Sequence, residues 1–146
     1  MRRITFAVSL LAAVFLLISP VSAQEHYTEG TVTRTLLLDA VPGKLNDCLA
    51  DLSKNLKPTY EEMKKQGLIQ DYAVSLNLTT SSPEDWDVAV CIVYANLAAL
   101  DGLIAKTDPI TLKFYGGKEK RQAAMDKRVT LCKLSQSRLS RQITLK

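Results

Sequence analysis

The stretch Trp86-Asp87-Val88-Ala89-Val90-Cys91-Ile92-Val93-Tyr94 decides the fold. From Val88 to Val93 it is apolar on both of its alternating faces, which is the pattern of a strand buried on two sides. Just upstream, Leu68 to Leu78 alternates with period two. Tyr72, Val74, Leu76 and Leu78 share one face, and Asp71, Ala73, Ser75 and Asn77 share the other. The turn-rich Thr79-Thr80-Ser81-Ser82-Pro83-Glu84-Asp85 joins the two strands. The middle of the chain therefore reads as two consecutive strands.

Helical spacing flanks this pair. Leu45, Cys48, Leu49, Leu52 and Leu56 recur three and four apart within Pro42 to Gln66, with Tyr60 and Met63 continuing the stripe. Pro58 should kink or split that helix, and Gly67 suits its end. On the other side, Asn96 can cap a helix through Ala98, Leu100, Leu103 and Ile104. A second helical piece is expected from Asp108-Pro109 to Tyr115, broken by Gly116-Gly117. A third is expected from Lys118 to about Ser137, with Met125, Val129, Cys132 and Leu134 inward. Strands close both ends: the β-branched run Gly30 to Leu38, and the alternating Leu139 to Leu145. The order is βαββαβ, a ferredoxin-like α+β fold with a four-stranded antiparallel sheet, helices on one face and an expanded second helical region.

The N-terminus predicts export. Met1-Arg2-Arg3 is a positive start, Phe6 to Ile18 is apolar, and Val21-Ser22-Ala23 places small residues before Gln24. A helix from Phe6 to Ile18 would span roughly 20 Å, short of a hydrocarbon core of about 30 Å. The expected division is a signal peptide at 1–23 cleaved after Ala23, a flexible lead-in at 24–30, and the folded domain at 31–146. The product is periplasmic or secreted, with no stable membrane anchor. Losing Arg2 and Arg3 lowers the formal charge from +4 to about +2, an ordinary value that gives no nucleic-acid footprint.

Cys48, Cys91 and Cys132 sit within hydrophobic patterns and read first as small apolar fillers, while one disulfide among the three stays open in an oxidising compartment.

Three short signatures resemble the dimeric α+β barrel superfamily, which includes antibiotic-biosynthesis-monooxygenase-like and stress-responsive barrel domains. They are Asp39-Ala40-Val41-Pro42-Gly43-Lys44, Gln66-Gly67-Leu68, and Trp86-Asp87-Val88 paired with Tyr94-Ala95-Asn96-Leu97. The resemblance covers roughly residues 31–145 and implies a homodimer whose two sheets face each other. The two-faced apolar central strand agrees, because helices on one side leave its other face in need of a partner.

No motif fixes a reaction. The single histidine, His26, lies in the lead-in, so a histidine-built metal or haem site is not expected. Nor is a Ser-His-Asp or Cys-His set. Haem-degrading relatives depend on a core histidine absent from this chain. Asp85 and Asp87 read as a solvated turn rather than cation ligands. The basic run Lys118, Lys120, Arg121, Lys127, Arg128 and Lys133 is interrupted by Glu119 and Asp126 and reads as a wet helix face. Gly116-Gly117 lacks phosphate-loop spacing.

The expected function is a non-catalytic dimer that takes a small apolar ligand or a protein partner in its sheet–helix cleft. The resemblance also invites a cofactor-independent monooxygenase or isomerase acting on a small aromatic or quinone-like compound. Candidate pocket residues are Arg34, Tyr72, Trp86, Tyr94, Tyr115 and Arg141. The plainer reading gives Trp86 and Tyr94 to packing, and Arg34 and Arg141 to ion pairs or a dimer rim.

Overall fold

In the computed structural model, Val88–Tyr94 (β3) runs antiparallel to two neighbours at once. Its partner on one side is Tyr27–Ala40 (β1), in a register from Val32 opposite Tyr94 to Leu38 opposite Val88. On the other side lies Asp71–Leu76 (β2), from Asp71 opposite Val93 to Leu76 opposite Val88. With Cys132–Leu145 (β4) beyond β1, the sheet order is β2-β3-β1-β4. The structure describes residues 26–79 and 85–146. The expected signal at 1–23 and the middle of the predicted turn after β2 lie outside them.

Strand alternation sorts the sheet into two faces. Val32 and Leu38 of β1 and Val88, Val90, Ile92 and Tyr94 of β3 join one buried cluster with Cys48, Leu52 and Met63 of the first helical region. Each fully buried Val, Leu or Ile contributes about 1.5–3 kcal/mol. The opposite face presents Thr33 and Thr35 of β1, Cys91 and Val93 of β3, and Ala73 and Ser75 of β2. This arrangement lies in one compact unit, Glu29–Thr144. A second unit takes in the chain ends, where the Lys146 N–H donates to the His26 carbonyl at 3.0 Å.

The first helical region is split, as Pro58 predicts. Leu45–Asp51 (α1) and Lys57–Lys65 (α2) are joined by a wider π-helical turn, Leu52–Leu56. Proline has no N–H, and its ring would strike the carbonyl four residues back; the wider turn relieves that clash without ending the helix. The turn also rephases the apolar stripe. Thr59 and Met63 are buried, Tyr60 packs against the core, and Thr59 Oγ1 donates to the Asn55 carbonyl at 3.0 Å. At the far end Gly67, with φ of +70°, reverses the chain toward β2.

The second helical region differs from expectation in three ways. Asn96 does cap, accepting the Ala99 N–H at 3.1 Å, but the segment it caps is only the 3₁₀ turn Leu97–Leu100. The next helix, Leu103–Tyr115 (α3), starts earlier than Asp108 and carries Pro109 inside it. The last helix, Lys118–Val129 (α4), stops well short of Ser137. Thr130 ends it by donating its hydroxyl to the Lys127 carbonyl at 2.7 Å, and Leu131 and Cys132 then turn into the core. Met125, Val129 and Leu134, expected inward, are exposed, and α4 has no buried residue. The anchor of this segment comes after the helix rather than from its face.

Both terminal strands are longer than expected. β1 begins at Tyr27, so most of the predicted lead-in is strand, and β4 begins at Cys132 rather than Leu139. The polar stretch Lys133 to Arg138 pairs along an edge, with Ser135 Oγ donating to the Leu37 carbonyl at 3.1 Å. At the centre, Asp87 gathers strand ends. Its Oδ2 accepts the Ala40 N–H at 2.7 Å, its N–H donates to the Leu38 carbonyl at 2.9 Å, and its carbonyl accepts the Asn77 N–H at 2.9 Å.

The cysteines correct the filler reading. Cys48 of α1 and Cys132 of β4 form a disulfide across 84 residues of sequence, with Cα atoms 5.8 Å apart, leaving Cys91 free. Closing so long a loop removes chain entropy from the unfolded state. Cys48→Ala/Cys132→Ala is expected to lose about 2–5 kcal/mol of unfolding free energy. Urea denaturation with and without reductant checks this. Reduced wild type and the double variant should share one midpoint, and a wild-type midpoint indifferent to reductant would contradict the link.

Candidate functional site

The split helix sets Tyr60 facing the sheet, and around its ring the fold assembles a polar cluster inside an apolar interior. Tyr60 of α2 meets the Tyr72 ring of β2 edge-on, with centroids 5.3 Å apart at 62°. Tyr72 in turn donates its hydroxyl to Glu61 Oε1 at 2.7 Å. Between α2, α3 and α4 lies a cavity of about 260 Å³, lined by Leu56, Thr59, Tyr60, Met63, Tyr115 and Arg128. Leu56 and Met63 supply its apolar wall, and Tyr60, Tyr115 and Arg128, with Thr59 and Thr111, supply its polar groups.

Arg128 is fixed from two sides. Its Nε donates to Asp51 Oδ2 at 2.5 Å and its Nη2 donates to Tyr115 Oη at 3.0 Å. Asp51 is nearly buried, its side chain 6% exposed, and it also accepts Asn55 Nδ2 at 2.7 Å. Because Tyr115 accepts from Arg128, its own hydroxyl hydrogen is left to point elsewhere.

Arg34 and Tyr94 come from the sheet. Arg34 lies on the helix-covered face of β1, between Val32 and Leu36, and Tyr94 ends β3 opposite Val32. Burial pushes the Tyr60 phenol up to about 12, the Tyr94 and Tyr115 phenols add to the rise, and Arg128 and Arg34 oppose it. Burial also raises Tyr94, again against the pull of Arg34. Both phenols therefore stay protonated and act as donors at neutral pH.

Of the six residues singled out in the sequence, Tyr115 lines this cavity with Tyr60, Tyr72 packs against the Tyr60 ring, and Arg34 and Tyr94 lie on the helix-covered face of the sheet without lining the cavity. Trp86 and Arg141 do not join them. Trp86 precedes β3 at the end away from Tyr94, roughly 25 Å along the strand at about 3.3 Å per residue. There its carbonyl accepts Asn77 Nδ2 at 2.9 Å. Arg141, on β4, is ion-paired with Glu29 as the plainer reading holds. Arg34 departs from that reading: it has no ion pair or hydrogen bond with any described residue. Tyr60, Asp51 and Arg128 join the site without having been singled out for it. Tyr60 reads as core in a helical stripe, and a carboxylate and a guanidinium far apart in sequence give no local signal of meeting. Among the described residues no group of three or more His, Cys, Asp or Glu side chains is placed to hold a metal ion.

No family model matches the chain, and no curated protein matches it. Solved structures do. A dimeric ferredoxin-like protein from an uncultured marine organism aligns with a TM-score of 0.50 at 11% identity, covering 82% of this chain and 90% of its own. A dimeric protein of unknown function with a ferredoxin-like fold, from Bacteroides fragilis NCTC 9343, aligns at 16% identity over 82% of this chain and 100% of its own, with a TM-score of 0.42. The fold is thus ferredoxin-like α+β, in agreement with the βαββαβ reading.

The ion pair and the buried phenol can be tested separately. Asp51→Ala strands the Arg128 charge in a largely buried setting and is expected to cost about 3–5 kcal/mol in chemical denaturation. Lys64→Met, at the exposed pair with Asp71, should leave the midpoint close to wild type. Tyr60 ionises near 10 when unfolded but near 12 when folded, so the native state holds its proton more tightly. Stability should be intact below pH 10 and fall between pH 10 and 12, with Tyr72 contributing in the same direction. Tyr60→Phe should flatten that fall, and an unchanged slope would contradict the burial of its hydroxyl.

Proposed function

We propose that this chain is an exported homodimeric binding domain that holds a small molecule in the cleft at Tyr60. The observation that carries the reading is a cavity of about 260 Å³ whose tyrosine hydroxyl has no hydrogen-bond partner among the described residues. Tyr60 is partly exposed, so its hydroxyl is open to a ligand as well as to solvent, and a free donor beside an apolar wall is a feature of a binding site. The volume lies just below the usual range for drug-sized ligands, which favours a compact occupant with an apolar body against Leu56 and Met63.

The dimer is supported by the open sheet face, with Val93 and Cys91 half-buried on β3, and by the dimeric description of the structural neighbour from the marine organism. Export is supported by the apolar N-terminal segment and by a disulfide joining two buried cysteines, a bond that persists in oxidising compartments. A cofactor-independent monooxygenase or isomerase is the second reading. It is favoured by one observation: Tyr115 accepts from Arg128 and so has a proton to offer a bound substrate.

Native mass spectrometry of the protein recovered from a bacterial periplasm tests the first reading in one measurement. The expected species is a dimer of chains lacking residues 1–23, each carrying a small-molecule adduct that collisional activation removes. A ligand-free monomer, or a chain retaining its first residues, would overturn it. Release of a chemically altered compound would move the assignment to the catalytic reading.

A further inference from the structure

Polar contacts between α3 and α4 determine what the cavity at Tyr60 offers a ligand. Thr111 and Tyr115 stand one turn apart on α3 and share a face, and both line the cavity. Two arginines of α4 meet them. Arg121 Nη1 donates to Thr111 Oγ1 at 3.2 Å, and Arg128 Nη2 donates to Tyr115 Oη at 3.0 Å. Each arginine is neutralised by an aspartate, Arg121 by Asp108 at 2.7 Å and Arg128 by Asp51 at 2.5 Å.

The hydrogens left over are one-sided. Thr111 commits its own to the Asp108 carbonyl at 2.9 Å, and Thr59 commits its own to the Asn55 carbonyl at 3.0 Å. Tyr115 accepts from Arg128 and keeps its hydrogen. The Tyr60 hydroxyl has no partner among the described residues. Arg128 makes one hydrogen bond through Nε and one through Nη2, so further N–H groups of its fork are open. The described lining therefore presents donors from Tyr60, Tyr115 and Arg128, no carboxylate, and a cation already balanced by Asp51.

Ligand classes differ sharply against such a wall. A carboxylate would shed its water for a guanidinium whose charge is already met. A hydrocarbon would displace water from the donors and give them nothing in return. An alcohol brings a further hydrogen to a lining that already has them in surplus. A carbonyl oxygen brings two lone pairs and no hydrogen, which suits two phenol donors.

Resting on the binding reading, we infer that the occupant is a small neutral carbonyl compound, a cyclic or aryl ketone, whose oxygen accepts from Tyr115 and Tyr60. Its apolar body lies against Leu56 and Met63. Tyr115 is the leading contact, because Arg128 anchors its oxygen and leaves the hydrogen for the ligand.

The test titrates the purified protein by calorimetry with a matched series: acetophenone, 1-phenylethanol, ethylbenzene and benzoate. The skeleton is nearly constant and only the polar group changes. Acetophenone is expected to bind about 10-fold or more tightly than ethylbenzene or benzoate, with the alcohol between. Tyr115→Phe and Tyr60→Phe should each weaken acetophenone about 3- to 10-fold and leave ethylbenzene unchanged. Infrared spectroscopy of carbonyl-labelled acetophenone gives a second readout, since losing a phenol donor should raise the stretching frequency of the bound carbonyl. Any other member binding as tightly as the ketone would overturn the carbonyl inference and leave the binding reading in place. No binding by any member would overturn both. The series is compared on wild type, so it decides even if a tyrosine variant folds poorly.

Discussion

Beyond the sheet itself, two links that start on one helix tie the segment after α3 to the first half of the domain. Cys48 reaches Cys132 covalently, and three residues further along α1 Asp51 reaches Arg128 through a nearly buried ion pair. This pairing matters because α4, the helix between Gly117 and Thr130, buries no residue of its own. An ordinary surface helix is held by an apolar stripe, whereas this one is held by ion pairs, Arg121 to Asp108 near its start and Arg128 to Asp51 near its end, and by the crosslinked strand after it. The C-terminal end of α4, and with it Arg128 in the wall of the cleft, depends on α1.

The cleft inherits that dependence. Arg128 is too engaged to meet a ligand as a free charge, yet by donating to Tyr115 it fixes the phenol that faces the cavity. Tyr60 is placed by a different device, the π-helical turn that accommodates Pro58. A proline that looks like a helix fault in the sequence thus serves to rotate a tyrosine onto the sheet. On the sheet beneath the helices, Arg34 and Tyr94 are set by strand register, because one-residue slippage would turn both to the opposite face.

Much of the fold is legible in the sequence because its central strands obey simple periodicities. The two-faced apolar run ending at Tyr94, the alternation around Val74 and the stripe through Leu45 and Leu52 each lead to the correct element. Failures come where polar residues do structural work. Lys133 to Arg138 forms an edge strand whose pairing is carried by backbone and by Ser135, so no apolar pattern announces it. Met125 and Val129 have helical spacing yet face outward, because periodicity records which residues share a face and not whether that face is covered. The site is half visible for a similar reason. Tyr115 stands out as an aromatic residue at an element end, but its meeting with Tyr60 and Arg128 at one cavity is a tertiary fact. The disulfide is likewise hidden among three cysteines with equal local claims.

That disulfide also dictates an order of events. A chain that emerges N-terminus first exposes Cys48, then Cys91, and only near its end Cys132. Cys91 thus has the earlier opportunity to capture Cys48, although in the finished structure it lies on the far face of the sheet, with its sulfur 3.7 Å from Thr35 Oγ1. A premature Cys48–Cys91 bridge would pin α1 to the wrong side of β3 and leave Cys132 to resolve it by exchange, a process of seconds to hours without an isomerase. The native pairing thus joins the first helix to the cysteine that is last of the three in the sequence.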